Sequence, residues 1–153
     1  MIKIYGTIHV SSVQENFLGI KVCAVSVNAQ EMRVSMNNST EKVKLSKVVD
    51  KMGLENLTPD VDTSGIWLHV PDVNRPALQL TGFYDQFDND RIQVIGNVEY
   101  SYLQSLSEED RVSRYSQLLS SNIPCLVFCR DLSPEPEILK IASKYGIPIL
   151  KSK

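Results

Sequence analysis

The sequence predicts an α/β domain in which helices cover a largely parallel sheet. The chain has 153 residues, 42% of them hydrophobic and 22% charged, which is ordinary for one soluble domain with its own core. From residue 66 onward, short apolar runs alternate with segments of helical periodicity. This alternation is typical of parallel strands joined by crossover helices.

The first helix is predicted from about Glu41 to Met52, with Thr40 as its N-cap and Gly53 just past its end. Its apolar stripe consists of Leu45, Val48, Val49 and Met52. Before this helix, residues 1–42 contain short β-like runs and predict a β-rich N-terminal extension.

Two strands and a short helix are predicted between residues 66 and 96. Residues 66–70 form the first strand candidate, and residues 92–95 predict a buried strand closed by Gly96. Between them, Asp72 or Asn74 is expected to cap a short helix that has a proline in its first turn.

The remaining elements continue the alternation to the end of the chain. They are helices at 99–106 and from Ser107 onward, a strand at 125–129, a helix that begins at Pro134 or Pro136 and ends before Gly146, and a strand at 147–150. The helix after Ser107 carries three acidic residues in its first turn, where they favour the positive end of the helix dipole.

Composition excludes several function classes. The net charge is −2 and no basic stripe is present, so we expect no nucleic-acid partner. No apolar run approaches the roughly 20 residues of a membrane helix, and no signal peptide is present, so we expect a cytoplasmic protein without a membrane partner. None of the seven glycines is followed by lysine, which excludes a Gly-x-x-x-x-Gly-Lys phosphate loop. No metal-ligand spacing stands out.

The stretch after residue 71 carries the most chemistry. Asp72, Asn74 and Arg75 follow a predicted strand, and Arg130 follows another. Loops at the carboxyl ends of parallel strands often hold ligands, and an arginine fork suits phosphate or carboxylate. These four residues are therefore candidates for binding a small anion. The alternative is structural: Asp72 and Asn74 cap a helix, while Arg75 and Arg130 form ion pairs.

Several tracts in register resemble one bacterial family, the HPr kinase/phosphorylases, in their N-terminal domain. The tracts are DVNRPALQLTGF at 72–83, DRIQVIG at 90–96, EYSYL at 99–103, LSEE at 106–109, IPC at 123–125, RDLSP at 130–134 and YGIPIL at 145–150. Together they span about residues 43–151, so the predicted division is an extension at 1–42 and a family-like domain at 43–153.

The resemblance implies a specific fold and biological setting. The expected fold is a three-layer α/β/α domain similar to the uridine-nucleotide-binding N-terminal domain of Mur ligases. The family is a cytoplasmic transferase of carbon catabolite repression and phosphotransferase-system regulation. It uses ATP or pyrophosphate with Mg²⁺ to phosphorylate a serine of the carrier HPr, removes that phosphate again, and assembles as a homo-oligomer.

The resemblance also limits the function expected of this chain. The family's catalytic domain carries the phosphate loop and follows the N-terminal domain, and no position here matches its catalytic residues. We therefore expect no catalytic residue and no cofactor in this chain, since ATP, Mg²⁺ and HPr would be held by the catalytic domain. Three hypotheses remain: a noncatalytic assembly or regulatory module, a sensor of an anionic metabolite or nucleotide, and an oligomerisation scaffold.

Overall fold

A computed structural model describes residues 42–153. The strands are β1 (Val43–Lys44), β2 (Glu55–Asn56), β3 (Trp67–Leu68), β4 (Val73–Asn74), β5 (Ile92–Ile95), β6 (Leu126–Phe128) and β7 (Ile149–Lys151). The helices are α1 (Leu45–Met52), α2 (Ala77–Leu80), α3 (Asn97–Ser105), α4 (Glu108–Leu119) and α5 (Pro136–Tyr145). The predicted extension at 1–42, including Thr40 as a cap, lies outside the described residues apart from Lys42.

The main sheet has five strands in the order β2-β7-β6-β5-β4. Strands β4 to β7 are parallel to one another, and β2 is antiparallel to β7. A separate two-stranded ribbon pairs β1 with β3. The prediction of an α/β domain with a mostly parallel sheet is confirmed.

Apolar side chains cover both faces of the sheet. One face packs against four helices, α2 to α5, through buried residues such as Leu80, Leu103, Leu118 and Ile138. The other face packs against α1 and the β1–β3 ribbon through Leu45, Val48 and Leu68. Because β5 and β6 are buried on both sides, neither alternates between apolar and polar residues: β6 is entirely apolar, and β5 has Gln93 as its single polar residue. The arrangement is consistent with a three-layer α/β fold.

The four parallel strands are added in a single direction across the sheet. The chain passes from β4 to β5, β6 and β7, and each strand lies beside the one before it. When each parallel strand is joined to the next by a right-handed crossover, and all strands are added in the same direction, the crossover helices lie on one face of the sheet. This is observed for α2 to α5. The strand order therefore does not reverse among β4 to β7. Such a reversal would send adjacent loops to opposite faces of the sheet and open a crevice between them, and β4 to β7 do not have this feature.

Two predicted helix starts are wrong. Helix α1 begins at Leu45 rather than near Glu41, because Val43 and Lys44 pair with β3 as a strand.

Helix α2 has no side-chain cap. Its N-cap position is Pro76, and Val73 and Asn74 form β4 beside β5 instead. A two-residue strand is too short to produce a periodic pattern that could predict it.

The later helices agree closely with their predictions. Ser107 is the N-cap of α4, and its Oγ accepts a hydrogen bond from the Asp110 N–H at 3.1 Å. Pro136 occupies the first turn of α5, and Gly146 ends it with a left-handed φ of 68°. Within residues 42–153, no helix is long and apolar enough to cross a membrane.

Candidate functional site

The carboxyl ends of the parallel strands hold a buried carboxylate. Glu99 lies in the first turn of α3, directly after β5, and its side chain is only 3% exposed. Its Oε2 accepts two hydrogen bonds, from the Arg75 guanidinium at 2.7 Å and from the Gly96 N–H at 3.0 Å. The carboxylate thus caps the α3 N-terminus and joins it to the loop after β4.

The absence of a side chain at residue 96 allows this contact. A Cβ placed on Gly96 would lie 2.8 Å from Arg75 Nη2 and 3.4 Å from Glu99 Oε2. The guanidinium therefore lies directly against the backbone at the start of α3. The Arg75 side chain is nevertheless 55% exposed, so the ion pair lies partly in solvent.

Asn74 is held by a fully buried glutamine. Its Nδ2 donates to Oε1 of Gln93 at 2.8 Å, across the β4–β5 pair. The Gln93 Nε2 in turn donates to the carbonyls of Asp88 and Arg91 at 3.1 and 2.9 Å. The Asn74 side chain therefore anchors the edge strand, and Asp72 lies half-buried just before that strand.

Arg130 is exposed in a strained turn after β6. Arg130 and Asp131 have left-handed φ values of 59° and 60°, which cost non-glycine residues about 1–2 kcal/mol each. The Asp131 N–H donates to the Ser152 carbonyl at 2.9 Å, and its Oδ1 lies 3.1 Å from the Lys151 Nζ. Glu55 also contacts that Nζ at 2.9 Å, and these two carboxylates raise the pKa of Lys151.

The four predicted residues do not form one cluster, and they do not all lie at the carboxyl edge: Arg75 and Arg130 follow β4 and β6, whereas Asp72 precedes β4, level with the start of β5. Strands β4 and β6 flank β5, which separates the Arg75 and Arg130 loops by two strand spacings, about 10 Å. Arg75 has a carboxylate partner, as the structural alternative predicts, whereas Asn74 anchors a strand rather than capping a helix. Within residues 42–153, no group of three His, Cys, Asp or Glu side chains could hold a metal ion.

Two residues of this edge were absent from the sequence prediction. Glu99 was seen only as the start of a helix, and Gly96 only as the end of a strand. A glycine followed three residues later by glutamate, directly after an apolar run, is a pattern that marks a helix N-terminus. That pattern could have identified Glu99 as a capping residue, but not its pairing with Arg75.

The family model for the HPr Serine kinase N terminus matches residues 43–153. The chain belongs to this family. The HPr kinase/phosphorylase of Lachnoclostridium phytofermentans is 47% identical over 111 residues, which cover 72% of this chain and 36% of that relative. The HPr kinase/phosphorylase of Clostridium botulinum strain Eklund 17B is 43% identical, with the same two coverages. The chain thus spans about a third of the length of the curated relatives it matches.

One solved structure has a partial likeness to this chain. It contains the CBS and DRTGG domains of the regulatory region of Clostridium perfringens pyrophosphatase, complexed with the activator diadenosine tetraphosphate. It is 15% identical, with a TM-score of 0.49, and covers 71% of this chain and 40% of that chain.

Proposed function

We propose that the chain is a noncatalytic assembly or regulatory module of an HPr serine kinase/phosphorylase. The observation that carries the proposal is the family match over residues 43–153, together with relatives of that name of which the chain spans 36%. The sequence also has no lysine after any glycine, so it supplies no phosphate loop.

The setting of the complete protein is part of this proposal. A catalytic domain elsewhere in the complete protein would bind ATP or pyrophosphate with Mg²⁺ and act on a serine of HPr. That activity would belong to carbon catabolite repression in a bacterial cytoplasm, and the enzyme would form a homo-oligomer. Likeness of the fold to the Mur ligase N-terminal domain is part of the same proposal.

A phosphoryl-transfer assay tests the noncatalytic role. The purified chain is incubated with HPr, Mg²⁺ and either ATP or pyrophosphate, and phosphoserine formation is measured by mass spectrometry. A complete HPr kinase/phosphorylase from one of the relatives is the positive control. We expect no phosphoserine above background with this chain, and turnover proportional to its concentration would refute the proposal.

A second candidate function is the sensing of an anionic metabolite or nucleotide at the carboxyl edge of the sheet. The observation that favours it is the half-exposed guanidinium of Arg75, which rests on the α3 N-terminus. Asp72, Asn74 and Arg130 are the other candidate ligand-binding residues.

Calorimetry with uridine nucleotides and sugar phosphates tests this second function. We expect binding that Arg75→Ala and Arg130→Ala weaken, while Arg114→Ala, on α4, serves as a charge-matched control. Absence of binding at millimolar concentration, or binding that is equal in all variants, would refute it.

A further inference from the structure

The start of α5 joins three helices through one carboxylate. Glu135 is the N-cap residue of α5, and its Oε1 lies 3.1 Å from Arg111 Nε of α4. The same oxygen accepts a hydrogen bond from Gln104 Nε2 of α3 at 3.0 Å. The other oxygen, Oε2, is buried and has no hydrogen-bond partner among the described residues. A buried carboxylate oxygen without a donor is unfavourable, so Oε2 requires a partner that is not a protein group.

A second buried polar atom lies on the same side of α4. The Tyr115 side chain is fully buried, and within residues 42–153 its hydroxyl also has no hydrogen-bond partner. Side chains on a helix lean toward the helix N-terminus, so the Tyr115 ring extends over the turn that holds Arg111. Burial raises the pKa of the Tyr115 hydroxyl, and the charge of Glu135 raises it further. The hydroxyl therefore keeps its proton and can donate a hydrogen bond.

A small cavity of about 30 Å³ lies between α4 and the start of α5. Its walls are formed by Glu108, Arg111, Val112, Glu135, Glu137 and Ile138. One water molecule needs about 10–15 Å³ of such space and two to four polar partners, whereas apolar cavities stay dry. Carboxylates and a guanidinium border this cavity, so it has both the size and the polarity of a water site.

We propose that an ordered water molecule occupies this cavity and bridges the Tyr115 hydroxyl to Oε2 of Glu135. The water accepts the Tyr115 O–H and donates one of its own hydrogens to the carboxylate, so both buried atoms gain a partner. A direct hydrogen bond does not do this, because the two oxygens do not lie within hydrogen-bond distance of each other. The bridge completes the junction of α3, α4 and α5 at Glu135, and it does not depend on either proposed function.

Water contacts measured by NMR test the proposal on the full chain. Ile138 lines the cavity and is only 1% exposed, so a nuclear Overhauser effect from water to its methyl groups cannot come from bulk solvent. In the wild type we expect this effect, with the sign of a water that stays bound for longer than the protein takes to tumble. In Tyr115→Phe we expect it to be lost, because the water loses a partner and exchanges more readily with solvent. Tyr145→Phe, at an exposed position, should retain it.

Urea unfolding of the same variants gives an independent measurement. Removal of a buried hydroxyl that has no partner would stabilise the chain, whereas removal of a hydrogen-bonded hydroxyl destabilises it. We expect Tyr115→Phe to raise the equilibrium constant for unfolding about fivefold. Tyr145→Phe should leave that constant unchanged.

Three results would overturn the proposal. Absence of the water effect at Ile138 in the wild type shows a dry cavity, and a loss of stability in Tyr115→Phe would then indicate a direct bond to Glu135. A water effect that persists in Tyr115→Phe shows a water that does not bridge to the hydroxyl. A Tyr115→Phe variant at least as stable as the wild type shows a hydroxyl without any partner. The measurement on the wild type stays decisive if Tyr115→Phe does not fold.

Discussion

Glu99 makes two contacts that substitution can separate. Glu99→Ala removes both the hydrogen bond to Gly96 and the ion pair with Arg75, whereas Glu99→Gln retains an oxygen for the cap. We expect the free energy of unfolding in urea to fall by about 2 kcal/mol for Glu99→Ala and by about 1 kcal/mol for Glu99→Gln. The values are modest because Arg75 is half-exposed and solvent screens the pair.

A matched control separates this effect from a general loss of charge. Glu109→Ala also removes a carboxylate from the first turn of a helix, but at an exposed position of α4. We expect it to change stability by no more than about 0.5 kcal/mol. An equal loss from Glu99→Ala and Glu109→Ala would contradict the structural role given to Glu99.

The Cys125 thiol makes stability depend on pH in the alkaline range. Burial raises the pKa of this free thiol from its usual 9.0 to about 12. Above about pH 9 the unfolded chain loses the thiol proton while the folded chain keeps it. The stability contributed by the protonated thiol is therefore complete below about pH 9 and is lost as the pH rises towards the folded pKa. Over this range we expect the free energy of unfolding to fall by about 1.4 kcal/mol per pH unit.

Urea unfolding of the wild type and Cys125→Ala at about pH 8 and about pH 10 measures this contribution. Cys125→Ala should be less stable at the lower pH but should lose less stability between the two. An equal loss in both proteins would show that the thiol is not responsible.

At the scale of single elements, the capping of α4 can be tested directly. Ser107→Ala removes the oxygen that accepts the Asp110 N–H, and we expect the free energy of unfolding to fall by about 1 kcal/mol. Ser113→Ala, at an exposed position within the same helix, should be neutral or slightly stabilising because alanine favours helices. A loss for Ser113→Ala as large as that for Ser107→Ala would contradict the capping role.

The elements that the sequence predicts well are those whose signals are local. Helices α4 and α5 have a cap or a proline at the start, and the buried strands β5 and β6 are apolar except for Gln93. Strands β1 and β4 were missed because each has two residues and exists only through its partner strand. The Arg75–Glu99 pair was missed for the same reason, since 24 residues separate its members.

At the scale of the whole molecule, one sheet serves two cores. Strand residues alternate between the four-helix face and the face covered by α1 and the ribbon, so loss of either layer exposes the sheet. We therefore expect both faces to unfold together.

Trp67 allows that cooperativity to be measured, because it is the sole tryptophan and lies in the ribbon. Its fluorescence reports on the α1 side, while far-UV circular dichroism is dominated by the helices of the other face. We expect coincident urea transitions, and Leu118→Ala on α4 should shift both by the same amount, with a loss of about 2–5 kcal/mol. A fluorescence transition that precedes the loss of helix would show two independent layers.

The one-way order of the parallel strands has a consequence for how the chain folds. Strands β4 to β7 each pair with a neighbour in sequence, so their contacts close short loops, whereas β2 must wait for β7 at the other end of the described chain. Strands β4 to β7 can therefore pair one after another in the order in which they are synthesised, and β2 joins the sheet last. In pulse-labelled hydrogen exchange, the Leu57 amide, which donates to the Ile149 carbonyl at 2.9 Å, should gain protection after the amides of β5 and β6.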